Sequence, residues 1–341
     1  MKKTIVPSDA KVYYQGQYWN DLPEVQEYMC QNFTGDKNKW WTTDFQERFA
    51  PSPFQFKRAL FLCDGNGWLS REFIDKKIVK QAVSFDWSAD LLAEAESKKG
   101  KRTIQYFQAD ANTISFKAGE FDLIVNNAAL HHVQYLNRLL YILSNSLQPD
   151  GLFVNFDYIG PQRNQYSFWH WRRVFAFNQK LPSKIQHEGL HYPHLPTMLA
   201  TDPTEAIHSD QILETMSRYF DITEQHDTNG GLAYHLLTHN KKVFALKPSE
   251  RRSLVKKILS MDQKLSVEYK VPILFSYFIA KPKKQNSVPK HTIKRYLTQE
   301  NLREKIARLL MGSNTLMGFF VLVAFRLIAI LRIKKIVRKF L

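Results

Sequence analysis

Between residues 59 and 156 the chain alternates short apolar runs with amphipathic stretches, and few folds accept that rhythm. The runs 59–63, 82–85, 121–125 and 152–156 are too short for buried helices and rich in branched or aromatic residues, so they are expected as strands. The stretches 68–76, 89–98 and 135–147 between them are expected as helices. Strand and helix alternating at this spacing predict an α/β chain with a parallel, doubly wound sheet. Segments 221–227 and 272–280 are candidates for the last two strands. The rhythm breaks after Gly160, where residues 161–210 carry five prolines and the run Phe168-Trp169-His170-Trp171-Arg172-Arg173. A helical insertion or lid over about 161–215 is the expected consequence. Residues 1–57, with Tyr18-Trp19 and Trp40-Trp41 between polar stretches, are expected as a helical N-terminal segment lying over the core.

In an open parallel sheet, ligands bind at the carboxyl ends of the strands where the strand order reverses. The first candidate strand ends in Cys63-Asp64-Gly65-Asn66-Gly67, where two glycines let the backbone turn tightly beside a ligand. Many strand-to-helix turns contain such a pair, so the turn alone decides little. The second strand ends at Asp86, nineteen residues after Gly67, and a carboxylate there can accept both hydroxyls of a ribose. Asp110 follows in Gln108-Ala109-Asp110-Ala111, placed to accept from an adenine amino group. Next come Phe121-Asp122-Leu123-Ile124-Val125-Asn126-Asn127, then Leu130-His131-His132, then the turn Leu147-Gln148-Pro149-Asp150-Gly151. Four signals in this order constrain the site far more than any one of them.

The series resembles that of the class I S-adenosylmethionine-dependent methyltransferases. Within them it is similar to a bacterial branch associated with glycan or lipid modification, which Trp19 to Tyr28 with Gly35-Asp36, Asp157-Tyr158-Ile159-Gly160-Pro161 and Asp202-Pro203-Thr204-Glu205-Ala206-Ile207-His208-Ser209 also match. The resemblance covers roughly residues 15–283. It implies a seven-stranded Rossmann-like methyltransferase sheet and S-adenosyl-L-methionine as cofactor. Gly65 and Gly67 would pass the methionine moiety, Asp86 the ribose, and Asp110 with Ala111 the adenine; Cys63, Asp64, Trp87 and Asn126 complete the implied set. Two residues depart from the pattern: the family usually has glycine at Cys63 and an acidic or small residue at Phe61. NAD fits less well, because the turn lacks G-x-G-x-x-G.

Transfer to an oxygen requires the acceptor to lose a proton, and a histidine is suited to take it. His131, after the fourth strand, is the expected general base. Asp157, at the end of the fifth, either orients a histidine or binds a hydroxyl. Asp202-Pro203 reads as a helix start, which would put Glu205 and His208 on one helix face. His208 is then a further catalytic candidate, and Tyr158 and Glu205 are substrate-side candidates. No metal site is expected, since Cys30 and Cys63 lack ligand spacing and no H-E-x-x-H occurs. Base methylation is disfavoured too, because an N/D-P-P-Y/F motif is replaced by Asn126-Asn127-Ala128-Ala129.

Charge bears on partners. Of the net +16, residues 281–341 hold +13, from 15 Lys or Arg against Glu300 and Glu304. Within that tail, 316–331 is apolar except for Gly318 and Arg326, and Arg332, Lys334, Lys335, Arg338 and Lys339 follow. Basic charge around an apolar helix favours an anionic membrane surface over nucleic acid. The expected organisation is therefore an N-terminal segment 1–57, a methyltransferase domain 58–283, a basic linker 284–299 and a membrane-associating helix in 300–341. With two cysteines and no apolar leader, the expected location is the cytoplasmic face of the inner membrane. The expected activity is O-methylation of a glycan, lipid-linked sugar or lipid. A second reading, motivated by Cys63 and Phe61, is a membrane-tethered cofactor-binding or scaffold protein without turnover.

Overall fold

The computed structural model describes residues 17–283 and 289–311. Seven strands form one sheet: β1 (Phe56–Leu62), β2 (Val79–Asp86), β3 (Ile104–Gln108), β4 (Phe121–Asn127), β5 (Leu147–Tyr158), β6 (Phe220–Asp227) and β7 (Phe275–Pro282), in the order β3-β2-β1-β4-β5-β7-β6. The chain runs from β1 outward through β2 and β3, then returns to β4 on the other side of β1. The order therefore reverses between β1 and β4, and a crevice opens at their carboxyl ends.

The five inner strands are buried on both faces over most of their length, which explains their nearly unbroken apolar runs; the edge strands β3 and β6 are not. Successive side chains point to opposite faces. In β1, Ala59 and Phe61 enter one core with Val125, Val154 and Tyr277, while Leu60 and Leu62 enter the other with Ile124, Phe153 and Phe278. The first core is covered by α1 (Pro23–Thr34), α2 (Trp41–Phe49) and α3 (Trp68–Asp75). Alongside β2 and β3 lies α4 (Ala89–Lys99), and α5 (Leu136–Ser146) covers the second core. The expected N-terminal helices are thus α1 and α2, with Trp41 and Phe45 fully buried.

After β5 come α6 (Phe168–Asn178), α7 (Leu195–Thr201) and α8 (Ile212–Tyr219). Only the first two belong to the insertion. α8 packs on α5 and feeds β6, so it is a crossover helix of the sheet, and the insertion ends before Ile212. Then α9 (Ala233–Leu237), α10 (Lys241–Ala245) and α11 (Pro248–Val267) close over the first core. This excursion brings the chain back to the end of the sheet where β6 finished, marked by the Gly230–Ile273 bridge. β7 therefore runs antiparallel to both β5 and β6, a departure from the expected parallel sheet.

Two further expectations are corrected. No helix begins at Asp202-Pro203: α7 ends there and 203–206 form a turn, with Ala206 at φ +50. The reason is Arg163. Its guanidinium donates to the carbonyls of Pro203 (2.7 Å) and Glu205 (3.0 Å), and its backbone N–H to that of Ala206 (2.6 Å). These carbonyls are satisfied without a helix, and Glu205 and His208 share no helix face.

The last described helix, α12 (Lys290–Met311), begins inside the stretch expected as a linker. It is docked on the body. Glu300 Oε1 accepts from the Asn137 backbone at 2.9 Å, and Glu304 pairs with the buried Arg163. Arg303 is paired with Asp210 of the body, and Arg308 with Glu304 of its own helix. No helix among the described residues is long and apolar enough to cross a membrane. The apolar run 316–331 and the basic residues after it lie outside the described residues.

Candidate active site

At the carboxyl ends of β1, β2 and β4 lies a cavity of about 1240 Å³, closed on its far side by the insertion and by Tyr18, Tyr234 and His239. Cys63, Asp64, Gly65, Asp86, Trp87, Asp110 and Ala111 all line it, as the sequence led us to expect. Asp86 organises this wall. Its Oδ2 accepts from Gly65 N at 2.9 Å and its Oδ1 from Ser88 N at 2.8 Å. One carboxylate thus ties the glycine turn to the start of α4 while facing the cavity. The side chain of Trp87 is 70 % exposed and presents a flat ring at the mouth. Asp64 sits behind the turn, accepting from Ser70 N and Ser84 Oγ, and burial raises its carboxyl to about 6.

Gly67 and Asn126 do not line the cavity. Gly67 (φ +74) makes the turn into α3 with Tyr106 packed against it, so an added Cβ would sit 2.4 Å from the tyrosine oxygen. Asn126 is fully buried and donates to Asn155 and Asp157, both at 2.6 Å; its neighbours Asn127 and Ala128 provide the wall instead. Cys63 adopts φ +44, a left-handed conformation costing a side chain about 1–2 kcal/mol. This is where glycine would be expected. Burial, reinforced by Asp86 and Asp110, pushes its thiol pKa up, so it is a small neutral group. Phe61 packs edge-on against Phe73 in the core. Neither residue closes the cavity.

On the opposite wall stand His131, His132, Tyr158 and Glu205. Asp157 lies behind them, fully buried. It accepts from Asn126, from the backbone of Leu130 (2.8 Å) and Tyr158 (2.8 Å), and from His131 Nδ1 (2.6 Å). Its role is therefore to hold the histidine. His131 Nε2 faces Glu205 Oε2 at 3.6 Å. Burial disfavours a charged ring, but Asp157 and then Glu205 outweigh it and raise His131 to about 10. Glu205 falls to about 2: its burial is outweighed by His131 and His132. His132, its ring centroid 4.1 Å from that of His131, is lowered to about 4 by burial and by its charged neighbour. Near neutral pH the pair therefore carries one positive charge, on His131. His208 lies away from the cavity, fully buried beside Arg303, and burial lowers its pKa to about 4. It does not line the cavity.

Residues 62–155 match the family model described as a methyltransferase domain. That segment runs from the last residue of β1 into β5 and contains both the acidic wall and the His131–His132 pair. The chain is 30 % identical over 108 residues to human mitochondrial arginine-hydroxylase NDUFAF5, covering 32 % of this chain and 30 % of that one. It is 27 % identical over 106 residues to an uncharacterized methyltransferase of Mycobacterium tuberculosis, covering 31 % and 52 %. The chain thus spans about a third to a half of the length of these curated relatives. Among solved structures it is similar to an S-adenosylmethionine-dependent methyltransferase from Mesorhizobium loti (18 % identity, TM-score 0.42, 71 % of this chain and 96 % of that one).

Several lining residues escaped the sequence reading. Tyr18, Asn164, His191, His194 and Thr204 reach the cavity from the N-terminal segment and the insertion. The one available signal was His191-Tyr192-Pro193-His194, two histidines held in a proline-rich loop.

Proposed function

We propose that the protein is an S-adenosylmethionine-dependent O-methyltransferase acting on a glycan, lipid-linked sugar or lipid. The observation that carries this reading is a single cavity with two unlike walls. One is the turn-and-acid wall of the matched domain, the other the His131–His132–Glu205 group. The residues present fit the cofactor: Gly65 leaves room beside the backbone, Asp86 keeps a carboxylate edge toward the cavity for a diol, and Asp110 and Ala111 form a small polar recess. When bound, S-adenosylmethionine supplies an electrophilic methyl group.

The chain's own residues then have two tasks. They must align the acceptor oxygen, since positioning supplies much of the acceleration in such a displacement. They must also receive the proton that the hydroxyl gives up. Glu205, His132 and Tyr158 face the acceptor side, with Asn164, His191 and His194 beside them. Aromatic faces next to carboxylates and imidazoles suit a polyhydroxylated ring better than a plain hydrocarbon. The basic apolar tail supports a substrate at the cytoplasmic membrane surface, where each Lys or Arg near anionic headgroups adds about 1 kcal/mol. A scaffold without turnover is not favoured, because Cys63 and Phe61 leave the cavity open.

The test is incubation with radiolabelled S-adenosylmethionine and a membrane extract. Label is expected in an extractable glycan or glycolipid; label only in soluble small molecules would exclude the membrane substrate. Removing residues 312–341 should move the protein from the membrane to the soluble fraction, and an unchanged distribution would exclude the anchor.

A further inference from the structure

We propose that His131, His132 and Glu205 form a binding site for one divalent transition-metal ion at the acceptor wall of the cavity. One ligand atom from each residue lies within 4.8 Å of the other two. Glu205 Oε2 is 3.6 Å from His131 Nε2 and 3.8 Å from His132 Nε2. Both separations exceed hydrogen-bond length, which ends near about 3.2 Å. Donors about 2.0–2.1 Å from a tetrahedral zinc lie about 3.3–3.4 Å from one another. Closing these two edges onto an ion takes a few tenths of an ångström.

The other nitrogen of each ring is already held, as metal-bound histidines require. His131 Nδ1 is 2.6 Å from Asp157, whose carboxylate accepts its proton. His132 Nδ1 is 3.0 Å from Thr204 Oγ1, which in turn donates to Asp202 Oδ1 at 2.6 Å. Both rings are thereby oriented with Nε2 toward Glu205. The backbone is braced as well. Ile207 N donates to His131 O at 3.0 Å, and Arg163 holds the Glu205 carbonyl. The carboxylate behind His131 is fully buried, whereas His132 is held by a hydroxyl that leans on the half-exposed Asp202.

Two imidazoles and one carboxylate suit zinc, iron(II), cobalt(II) or manganese(II) better than calcium or magnesium, which prefer all-oxygen sites. Three protein ligands leave a position open, and all three residues line the cavity. The role of that open position rests on the proposed methyl transfer: an acceptor hydroxyl bound there would be acidified toward neutrality without a strongly basic side chain.

The experiment uses tag-free, full-length protein stripped with chelator and titrated with cobalt(II), followed by visible absorption and by zinc competition. One equivalent is expected, with ligand-field bands. X-ray absorption of the zinc-loaded wild type should show two imidazoles and no sulfur. His132→Ala and Glu205→Gln should each weaken binding at least 100-fold, and Thr204→Val about 10-fold. Unchanged circular dichroism and a cooperative melting transition in every variant serve as controls for folding. No saturable binding, sulfur or all-oxygen coordination, or wild-type affinity in folded His132→Ala and Glu205→Gln would overturn the proposal. Calorimetry with S-adenosylmethionine on the same samples separates the two readings. Metal binding without cofactor binding overturns the methyltransferase reading alone, and the reverse result overturns the metal site alone.

Discussion

One wall of the cavity draws on residues 63–65, 86–87 and 109–111, and its central contact, Gly65 to Asp86, joins the turn after β1 to the end of β2, 21 positions on. The other wall gathers His131, Glu205 and Tyr18 from distant parts of the chain, and its brace, Arg163 to Glu304, spans 141 positions. The first wall is made by turns at strand ends, so its parts arrive wherever the parallel sheet forms. The second depends on an insertion whose shape is set by one buried guanidinium and on a helix from the end of the described chain. We therefore expect the first to be robust and local, the second to be adjustable and globally coupled.

The strongest way to break this contrast is Glu304→Gln. It leaves Arg163 buried without its charge partner, which should cost about 3–5 kcal/mol. Denaturant unfolding should show that loss, together with loosening of the 203–206 turn in hydrogen exchange; a loss under about 1 kcal/mol would mean the second wall does not depend on α12. Asp86→Ala should weaken S-adenosylmethionine binding about 100-fold in calorimetry, because a carboxylate that accepts charge-assisted bonds is removed. Asp86→Asn, which keeps an acceptor oxygen, should be milder. Gly67→Ala tests the local turn alone. Its positive φ and the contact with Tyr106 predict a loss of about 1–2 kcal/mol, seen as a lowered melting temperature.

The smallest expected effects are electrostatic. His131 is raised from its ordinary 6.5 to about 10, so its contribution to stability is complete below pH 6.5 and is lost as pH rises through 10. Glu205 is lowered from 4.5 to about 2, so its contribution is complete above pH 4.5 and is lost as pH falls through 2. In metal-free protein, Glu205→Gln should flatten both arms of a melting-temperature profile and lower the His131 pKa measured by NMR. Its S-adenosylmethionine affinity should stay within about twofold, since the two walls do not share a hydrogen bond. A larger change would show that they are coupled.

Legibility follows the same division. Strand positions, the glycine turn, Asp86 and Asp110 could be read from the chain because period-2 burial and strand-end turns are local patterns. Gly67 was read correctly as a turn residue but placed on the wrong side of it, because only the packing of Tyr106 shows which way the turn faces. Asn126 and Asp157 occupy strand ends like the lining residues, yet their side chains point behind the wall, a matter of register between β4, β5 and β7. The helix expected at Asp202 failed because Arg163, forty positions away, takes the carbonyls that a helix would use. His208 went with it.

The sequence by itself determined the doubly wound sheet, the position of its crevice and the acids along one side, since these follow from chain-local hydrophobic period and turn chemistry. Only the tertiary structure decided what His131 is. Between Asp157 and Glu205 it becomes a held, charged ring beside a second histidine, because charges brought close inside a poorly solvated cavity interact far more strongly than any spacing along the chain can reveal.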